Sequence, residues 1–255
     1  RDGSMHFNKV GELVNSDGYQ VIGFKADEDG KVTNKEGPIK LGSTTIPAQA
    51  TTGIDFRMNI DSRAEVKEFD PARPDETANF SHSITAYDNV GTARLITMYY
   101  NKTANNNWTY RAMVDGKDVE GGVEGTMVEQ AQGTLVFNDK GKLQEEIEGS
   151  NSFNFNKGAA PGQQIKFSWG ESITEGGNGL DAMTQYGSSS NVARHNQDGY
   201  SAATLTSMSF NDDGILTAVY DNGVSKDISQ IALAKFESNE NLFKVGKNLM
   251  KESRR

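Results

Sequence analysis

Three histidines, His6, His82 and His195, are the side chains best suited to proton transfer or metal ligation near neutral pH. They stand far apart, and no two share the short spacing that brings two imidazoles to one metal. The chain has no cysteine, which removes thiolate nucleophiles, sulfur ligands and disulfides. Glu145, Glu146 and Glu148 offer the paired carboxylates that glycoside hydrolysis needs. They follow a turn, however, where a solvated strand face is the simpler account. Asp27-Glu28-Asp29-Gly30 and Asn211-Asp212-Asp213-Gly214 resemble the start of a calcium loop. Their glycine comes too early and their flanks read as strands, so turn chemistry explains them better. Ser188 lacks the Gly-x-Ser-x-Gly frame of a nucleophile elbow. Trp108, Tyr110 and Trp169 could stack on a sugar, but aromatics at strand spacing are ordinarily core. No glycine-rich phosphate loop precedes a helix. The expectation is therefore no enzyme: no catalytic, cofactor-binding or metal residue.

The elements that would have to position such residues are short strands. Asp-Gly and Asn-Gly pairs recur at Asp2-Gly3, Asp17-Gly18, Asp29-Gly30, Asp115-Gly116, Asp198-Gly199, Asp213-Gly214 and Asn222-Gly223. Glycine takes φ > 0 freely and the Asx side chain bonds its own backbone, so such pairs close hairpins. Between them lie alternating runs, with Leu95-Thr97-Tyr99 on one face and Ile215-Thr217-Val219 on another. Such regular turns between short strands predict an all-β protein.

Along the chain, Val10–Val14 and Tyr19–Phe24 read as strands flanking Asn15–Gly18. Gly37–Gln49 reads as extended, with Pro47 marking an edge or an exit from the sheet. In Thr52–Ile60, Ile54, Phe56, Met58 and Ile60 recur at period two, a half-buried strand. Asp61–Glu76 is charged, carries Pro71 and Pro74, and suits a boundary. Strands resume at Ser83–Tyr87, Arg94–Asn101, Trp108–Asp115, Thr134–Phe137, Ser152–Phe155 and Gln164–Trp169. Residues 170–195 read as loop. Ala203–Asn211, Ile215–Asp221 and Ser225–Phe236 form a meander. Ile231-Ala232-Leu233-Ala234 is apolar on both faces and reads as central. Ser238 or Asn239 would cap a short helical turn through Leu242-Phe243, ended at Gly246.

Length allows two domains, each with its own core. The net charge of −9, with no long run of Lys or Arg, argues against nucleic acid as a partner. No apolar run reaches the roughly 20 residues of a membrane-spanning helix, and no signal peptide is visible. Both ends of the sequence read as cut from something longer.

The terminal segments resemble the bacterial flagellar hook protein family. The match runs through Arg1-Asp2-Gly3-Ser4, Gly11-Glu12-Leu13-Val14-Asn15 and Asp17-Gly18-Tyr19-Gln20-Val21, then Gly23-Phe24. It resumes at Gln197-Asp198-Gly199-Tyr200 and continues through Leu205, Asp213-Gly214, Tyr220, Asn222-Gly223 and Gln230–Phe236. Ala86–Gly91 and Leu135–Gly141 contribute internal motifs. Met5 stands where the family has an aromatic residue, and Ala203 stands where it has a glycine, which implies a backbone there without φ > 0. The end motifs are shared with flagellar rod proteins; the long insert favours hook.

The resemblance implies two β domains. A discontinuous inner domain, residues 1–62 and 191–255, would carry an inserted outer barrel or sandwich, residues 63–190. It implies an extracellular subunit, exported without a cleaved signal peptide, of a helical polymer that acts as a flexible torque-transmitting joint. The implied partners are further copies, rod, hook–filament junction and hook cap proteins, with neither nucleic acid nor membrane among them. The polymerising terminal helices would lie outside this sequence, leaving these residues monomeric. The alternatives are a distal rod protein and an extracellular carbohydrate-binding β domain.

Overall fold

The computed structural model describes residues 4–27, 30–179, 181–236, 242–246 and 249–252. Its strands, in chain order, begin with β1 (Met5–Phe7), β2 (Leu13–Asn15), β3 (Ile22–Ala26), β4 (Val32–Pro38) and β5 (Thr45–Ile46). Then come β6 (Gly53–Asn59), β7 (Phe80–Tyr87), β8 (Ala93–Ala104), β9 (Asn107–Asp115) and β10 (Met127–Phe137). β11 (Leu143–Asn151), β12 (Lys166–Ser168), β13 (Asn191–Gln197), β14 (Ala203–Phe210) and β15 (Ile215–Tyr220) follow. The last are β16 (Ser225–Ile231), β17 (Leu242–Gly246) and β18 (Leu249–Glu252). Helix is confined to one turn at Pro74–Thr77 and a 3-10 turn at Gly116–Asp118 among the described residues. The chain is all-β.

One loop chemistry closes most hairpins. An Asn or Asp at position i places its Oδ1 against the backbone N–H of i+2 and i+4, and a glycine at i+3 takes positive φ. Asn8, Asn15, Asp88, Asn138 and Asn211 all do this, with Gly11, Gly18, Gly91, Gly141 and Gly214 at φ between 72° and 86°. Asp27 binds Lys31 N in the same way ahead of Gly30. These are tight turns followed by a glycine bulge. The operative pattern is thus Asx-x-x-Gly, in which the Asp of an Asp-Gly pair is a passenger. Asp2-Gly3 and Asp29 lie outside the described residues.

The chain divides into two compact units. The first, Arg1–Ile46 with Ala203–Arg255, draws strands from both ends of the chain. Its six-stranded sheet has the order β4-β3-β16-β15-β14-β5. β3 from the N-terminal part pairs antiparallel with β16, and β5 with β14. Leu13, Ile39 and Leu216 form its small core, with Met5, Phe7, Val21, Met208, Ile228 and Ile231 packed against them. Met5 thus fills an apolar slot. Gly23 has no room for a Cβ, which would strike the Gln230 carbonyl and Ile39.

The second unit, Pro47–Ala202, is a sandwich. Five antiparallel strands, β7 to β11 in sequence order, form one sheet; β12-β6-β13 forms the other, with β12 parallel to β6. Period-two burial makes the facing surfaces. Ile54, Phe56 and Met58 of β6 pack with Ile96, Met98 and Tyr100 of β8, and Trp108 and Tyr110 of β9. Trp169 stacks on Phe56 at 4.7 Å and meets Tyr110 at 5.0 Å. Tyr110 lies flat across Gly133, where any Cβ would collide with its ring.

Several expectations are corrected. The units divide at 46/47 and 202/203 rather than 62/63 and 190/191, because β6 and β13 pair with each other inside the second unit. The charged segment 61–79 is a strap on that unit. Lys102 Nζ donates to the carbonyls of Ser62 and Ala64, Tyr99 OH to Asp75, and Arg111 lies 4.4 Å over the Phe69 ring. The stretch read as loop, 170–195, ends in β13. Val10 and Gly11 are turn rather than strand, and Gly37–Gln49 is mostly irregular. Ser152–Phe155 makes only isolated bridges. β16 is central but stops at Ile231; Leu233 beyond it is 92% exposed. Leu95 faces solvent, because the buried face of β8 is Arg94, Ile96, Met98 and Tyr100. Leu242–Gly246 is a strand paired antiparallel with β18 rather than a helical turn; Ser238 and Asn239 lie outside the described residues. Ala203 opens β14 with no positive φ, as its side chain implied.

Candidate functional site

Of the side chains that could do chemistry, the structure brings together two histidines distant in sequence, His82 and His195, and leaves His6 apart from them. His6 is exposed on β1. His82, on β7, sits among Phe56, Phe80 and Tyr100, and its ring stacks 6.4 Å from that of exposed His195 on β13. Neither His82 nitrogen has a hydrogen-bond partner. Burial, and then the neighbouring His195, pull its pKa down to about 4, so the ring is neutral at physiological pH. No cluster of three metal-ligating side chains occurs among the described residues. Ser188 accepts from Asn59 Nδ2 at its Oγ and its carbonyl, a loop anchor. Trp108, Tyr110 and Trp169 are all buried, with Trp108 Nε1 donating to Gln185 at 2.6 Å. They form core, not a sugar platform.

Of the three glutamates, Glu145 and Glu148 are exposed on β11. Glu146 turns toward a cleft of about 480 Å³ shared with Asp55, Arg57, Lys166, Glu171 and Glu175. Burial, reinforced by Glu175, pushes its pKa up to about 7, against weaker lowering by Trp169 and Lys166.

The best-ordered polar constellations are two that sequence reasoning passed over. One surrounds the segments by which the chain enters and leaves the second unit. Gln49 and Tyr200 exchange both backbone hydrogen bonds at 2.9 Å. The Asp198 carboxylate accepts from Thr52 N, Thr52 Oγ1 and Gly53 N, and these bonds hold its pKa below the usual range despite burial. Fully buried Thr51 donates its hydroxyl to Gln197 and exchanges bonds with the Tyr87 backbone. Gly199 lies so close to Thr51 that a Cβ would meet Thr51 N at 2.6 Å. The Asp-Gly of Asp198-Gly199-Tyr200 is therefore a clamp rather than a hairpin turn.

The other constellation is centred on Arg94, buried completely with Asp88. Its Nε donates to Asp88 at 2.9 Å, Nη1 to Asp118 and to the Asn156 side chain at 3.1 Å, and Nη2 to the Asn156 carbonyl at 2.7 Å. It ties the β7–β8 turn, the 3-10 turn and the loop after β11 together. Fork geometry directed at fixed acceptors in the interior holds backbone; it leaves no group free for a substrate. The only warning in the sequence was an arginine at a buried parity of β8.

Similarity to known proteins agrees with a scaffold. The flagellar hook protein FlgE of Escherichia coli K12 is 28% identical over 258 residues, covering 98% of this chain and 59% of that protein. The FlgE of Treponema pallidum is 26% identical, covering 99% of this chain and 61% of the relative. This chain thus spans about three-fifths of the length of such relatives. The crystal structure of the Helicobacter pylori flagellar hook protein FlgE2 shares the fold, with a TM-score of 0.69 at 12% identity, over 100% of this chain and 85% of that one. Residues 59–200, more than half of the chain, match the family described as the flagellar basal body protein FlaE D2 domain, and the chain belongs to that family.

Proposed function

We propose that this chain is the β-rich body of a flagellar hook subunit, acting as a structural part of a helical polymer and not as an enzyme. The observation that carries the reading is similarity to hook proteins along 98% of the chain, motif-rich ends included, joined to family membership of the insert. The unit built from both chain ends would be the inner domain, and Pro47–Ala202 the outer one. The polymer would be extracellular, exported without a cleaved signal, and would meet rod, junction and cap proteins at its two ends. Contacts between subunits that must slide as a bent tube rotates should be polar and individually weak; a chain of net charge −9 and mean hydropathy −0.64 suits that demand. The residues of this sequence alone would be monomeric, with a light-scattering mass near 27.8 kDa.

Gold-labelled antibody raised against this chain, applied to flagella isolated from the source bacterium, tests the assignment. Label confined to the short curved segment between rod and filament is expected. Label on the rod would make it a rod protein; label absent from flagella, with affinity for a glycan column, would favour a carbohydrate-binding domain.

A further inference from the structure

Asn-Gly occurs twice in this sequence, at Asn178-Gly179 and at Asn222-Gly223. The dipeptide carries a reaction of its own. The glycine nitrogen, once it loses its proton, is a nucleophile placed to close a five-membered ring on the asparagine side-chain carbonyl. Glycine has no Cβ to obstruct that approach. The fold treats the two pairs in opposite ways.

Asn222-Gly223 is locked into the turn between β15 and β16. Gly223 N donates to the Tyr220 carbonyl at 3.0 Å, and Tyr220 N donates to the Val224 carbonyl at 2.9 Å. The nucleophile's proton is thus committed, and attack requires the hairpin to open.

Asn178-Gly179 lies in the loop after β12. That loop is fixed up to Gly177, since Gly176 N donates to the Ile173 carbonyl and Gly177 N to the Ser172 carbonyl. The Asn178 residue is exposed, and Gly179 is buried at a φ of 63°, against the Lys142 stem and Ile173. Gly179 N finds no acceptor among the described residues, so its deprotonation breaks no hydrogen bond. The Asn178 backbone carbonyl, which belongs to the same peptide group as Gly179 N, accepts from Lys142 Nζ at 3.1 Å. Lys142 forms no ion pair within 4 Å among the described residues. Its ammonium therefore acts on that peptide group. When Gly179 N is deprotonated, the negative charge spreads onto the carbonyl oxygen, where the ammonium stabilises it.

We propose that Asn178-Gly179 is a self-modifying site, primed by Lys142, at which the folded chain deamidates in preference to Asn222-Gly223. Base removes the Gly179 proton, and the nitrogen attacks Asn178 Cγ. The new N–Cγ bond forms, the Cγ–Nδ2 bond breaks, and Nδ2 leaves as ammonia with a proton from water. Water then opens the succinimide at either carbonyl, giving aspartate or isoaspartate. Water is the only co-reactant. The product puts a carboxylate on the rim of a cleft of about 470 Å³ that Arg57, Glu171 and Asp181 also line.

Peptide mapping by mass spectrometry of protein aged near neutral pH tests this. Trypsin separates the two sites into residues 167–194 and 195–226. In the folded protein Asn178 is expected to convert roughly thirtyfold faster than Asn222, the combined effect of the free Gly179 N–H and the charged donor. In urea the two rates should converge, because both are then plain Asn-Gly. Lys142→Met should slow Asn178 about tenfold and leave Asn222 unchanged. Equal rates at the two sites in the folded protein overturn the proposal, as does an Asn178 rate that Lys142→Met leaves unchanged.

Discussion

Replacing Arg94 with methionine removes the guanidinium while filling most of its volume, and leaves the Asp88 carboxyl in a fully buried site without its partner. Asp88 keeps its bonds from Val90 N and Thr92 N but loses its counter-ion. Breaking a buried pair in this way costs about 3–5 kcal/mol, because the surviving charge is uncompensated. For a unit of this size each kcal/mol moves Tm by roughly 2–4 °C, so a fall on the order of 10 °C follows. Arg94→Lys keeps a charge but cannot serve Asp88, Asp118 and Asn156 at once, and should lose about half as much. The double variant Asp88→Asn/Arg94→Met should lie within about 2 kcal/mol of the unaltered protein, since neither charge is then stranded. The assay is selective: Trp108 and Trp169 both lie in Pro47–Ala202, so tryptophan emission during urea unfolding reports that unit alone. A loss below about 1 kcal/mol in Arg94→Met, or additive losses in the double variant, would refute the reasoning.

Three further outcomes are expected. His82 has a folded pKa of about 4 against 6.5 unfolded, so the stability it permits is complete above pH 6.5 and is lost as pH falls through 4; the loss approaches about 3 kcal/mol, and His82→Phe should flatten the acid limb of urea midpoints against pH. Gly133→Ala should destabilise the second unit by about 1–3 kcal/mol, because the methyl meets the Tyr110 ring; Tyr110→Ala in the same background should make the alanine nearly neutral. Replacing Pro47–Ala202 with a short Gly/Ser linker should leave the first unit folded, since all six strands of its sheet lie outside that segment; dispersed amide resonances would show it, and a random-coil spectrum would refute it.

The sequence made strands and turns legible because both are local. Ile54-x-Phe56-x-Met58-x-Ile60 states its period within seven positions, and an Asx side chain that bonds i+2 and i+4 needs nothing distant. The meander of the last third was readable for the same reason. Features that depend on partners remote in sequence were not. β13 carries exposed polar side chains and becomes a strand only because β6 offers an edge. Segment 61–79 has a linker's composition, yet Lys102 and Tyr99 pin it. That same remoteness displaced the domain boundary, since Pro71 and Pro74 read as punctuation between domains when they punctuate a strap within one. Glu146 is indistinguishable from Glu145 and Glu148 by type and spacing; only register on the edge strand turns it toward a cleft, and there its chemistry changes.

The two constellations in the second unit also have a mechanical consequence. The entering and leaving segments, 47–53 and 197–202, are bonded to each other through Gln49–Tyr200 and Asp198–Thr52. Thr51 passes the connection to the Tyr87 backbone, and Gln163 Nε2 bridges the Thr51 and Tyr87 carbonyls. Tyr87 adjoins Asp88, whose carboxylate holds Arg94 and, through it, Asp118 and Asn156. Because Gln49 and Tyr200 pair antiparallel, tension applied at Pro47 and Ala202 opens the clamp as a zipper, loading the Gln49–Tyr200 bonds first and the Asp198–Thr52 bonds next, before it reaches the sheets. The clamp therefore takes such a load before the sandwich core does. Asp198→Ala, which strips three bonds from the clamp at about 1 kcal/mol each, should lower the rupture force when the second unit is pulled from its two ends. An unchanged rupture force would show that the load bypasses the clamp.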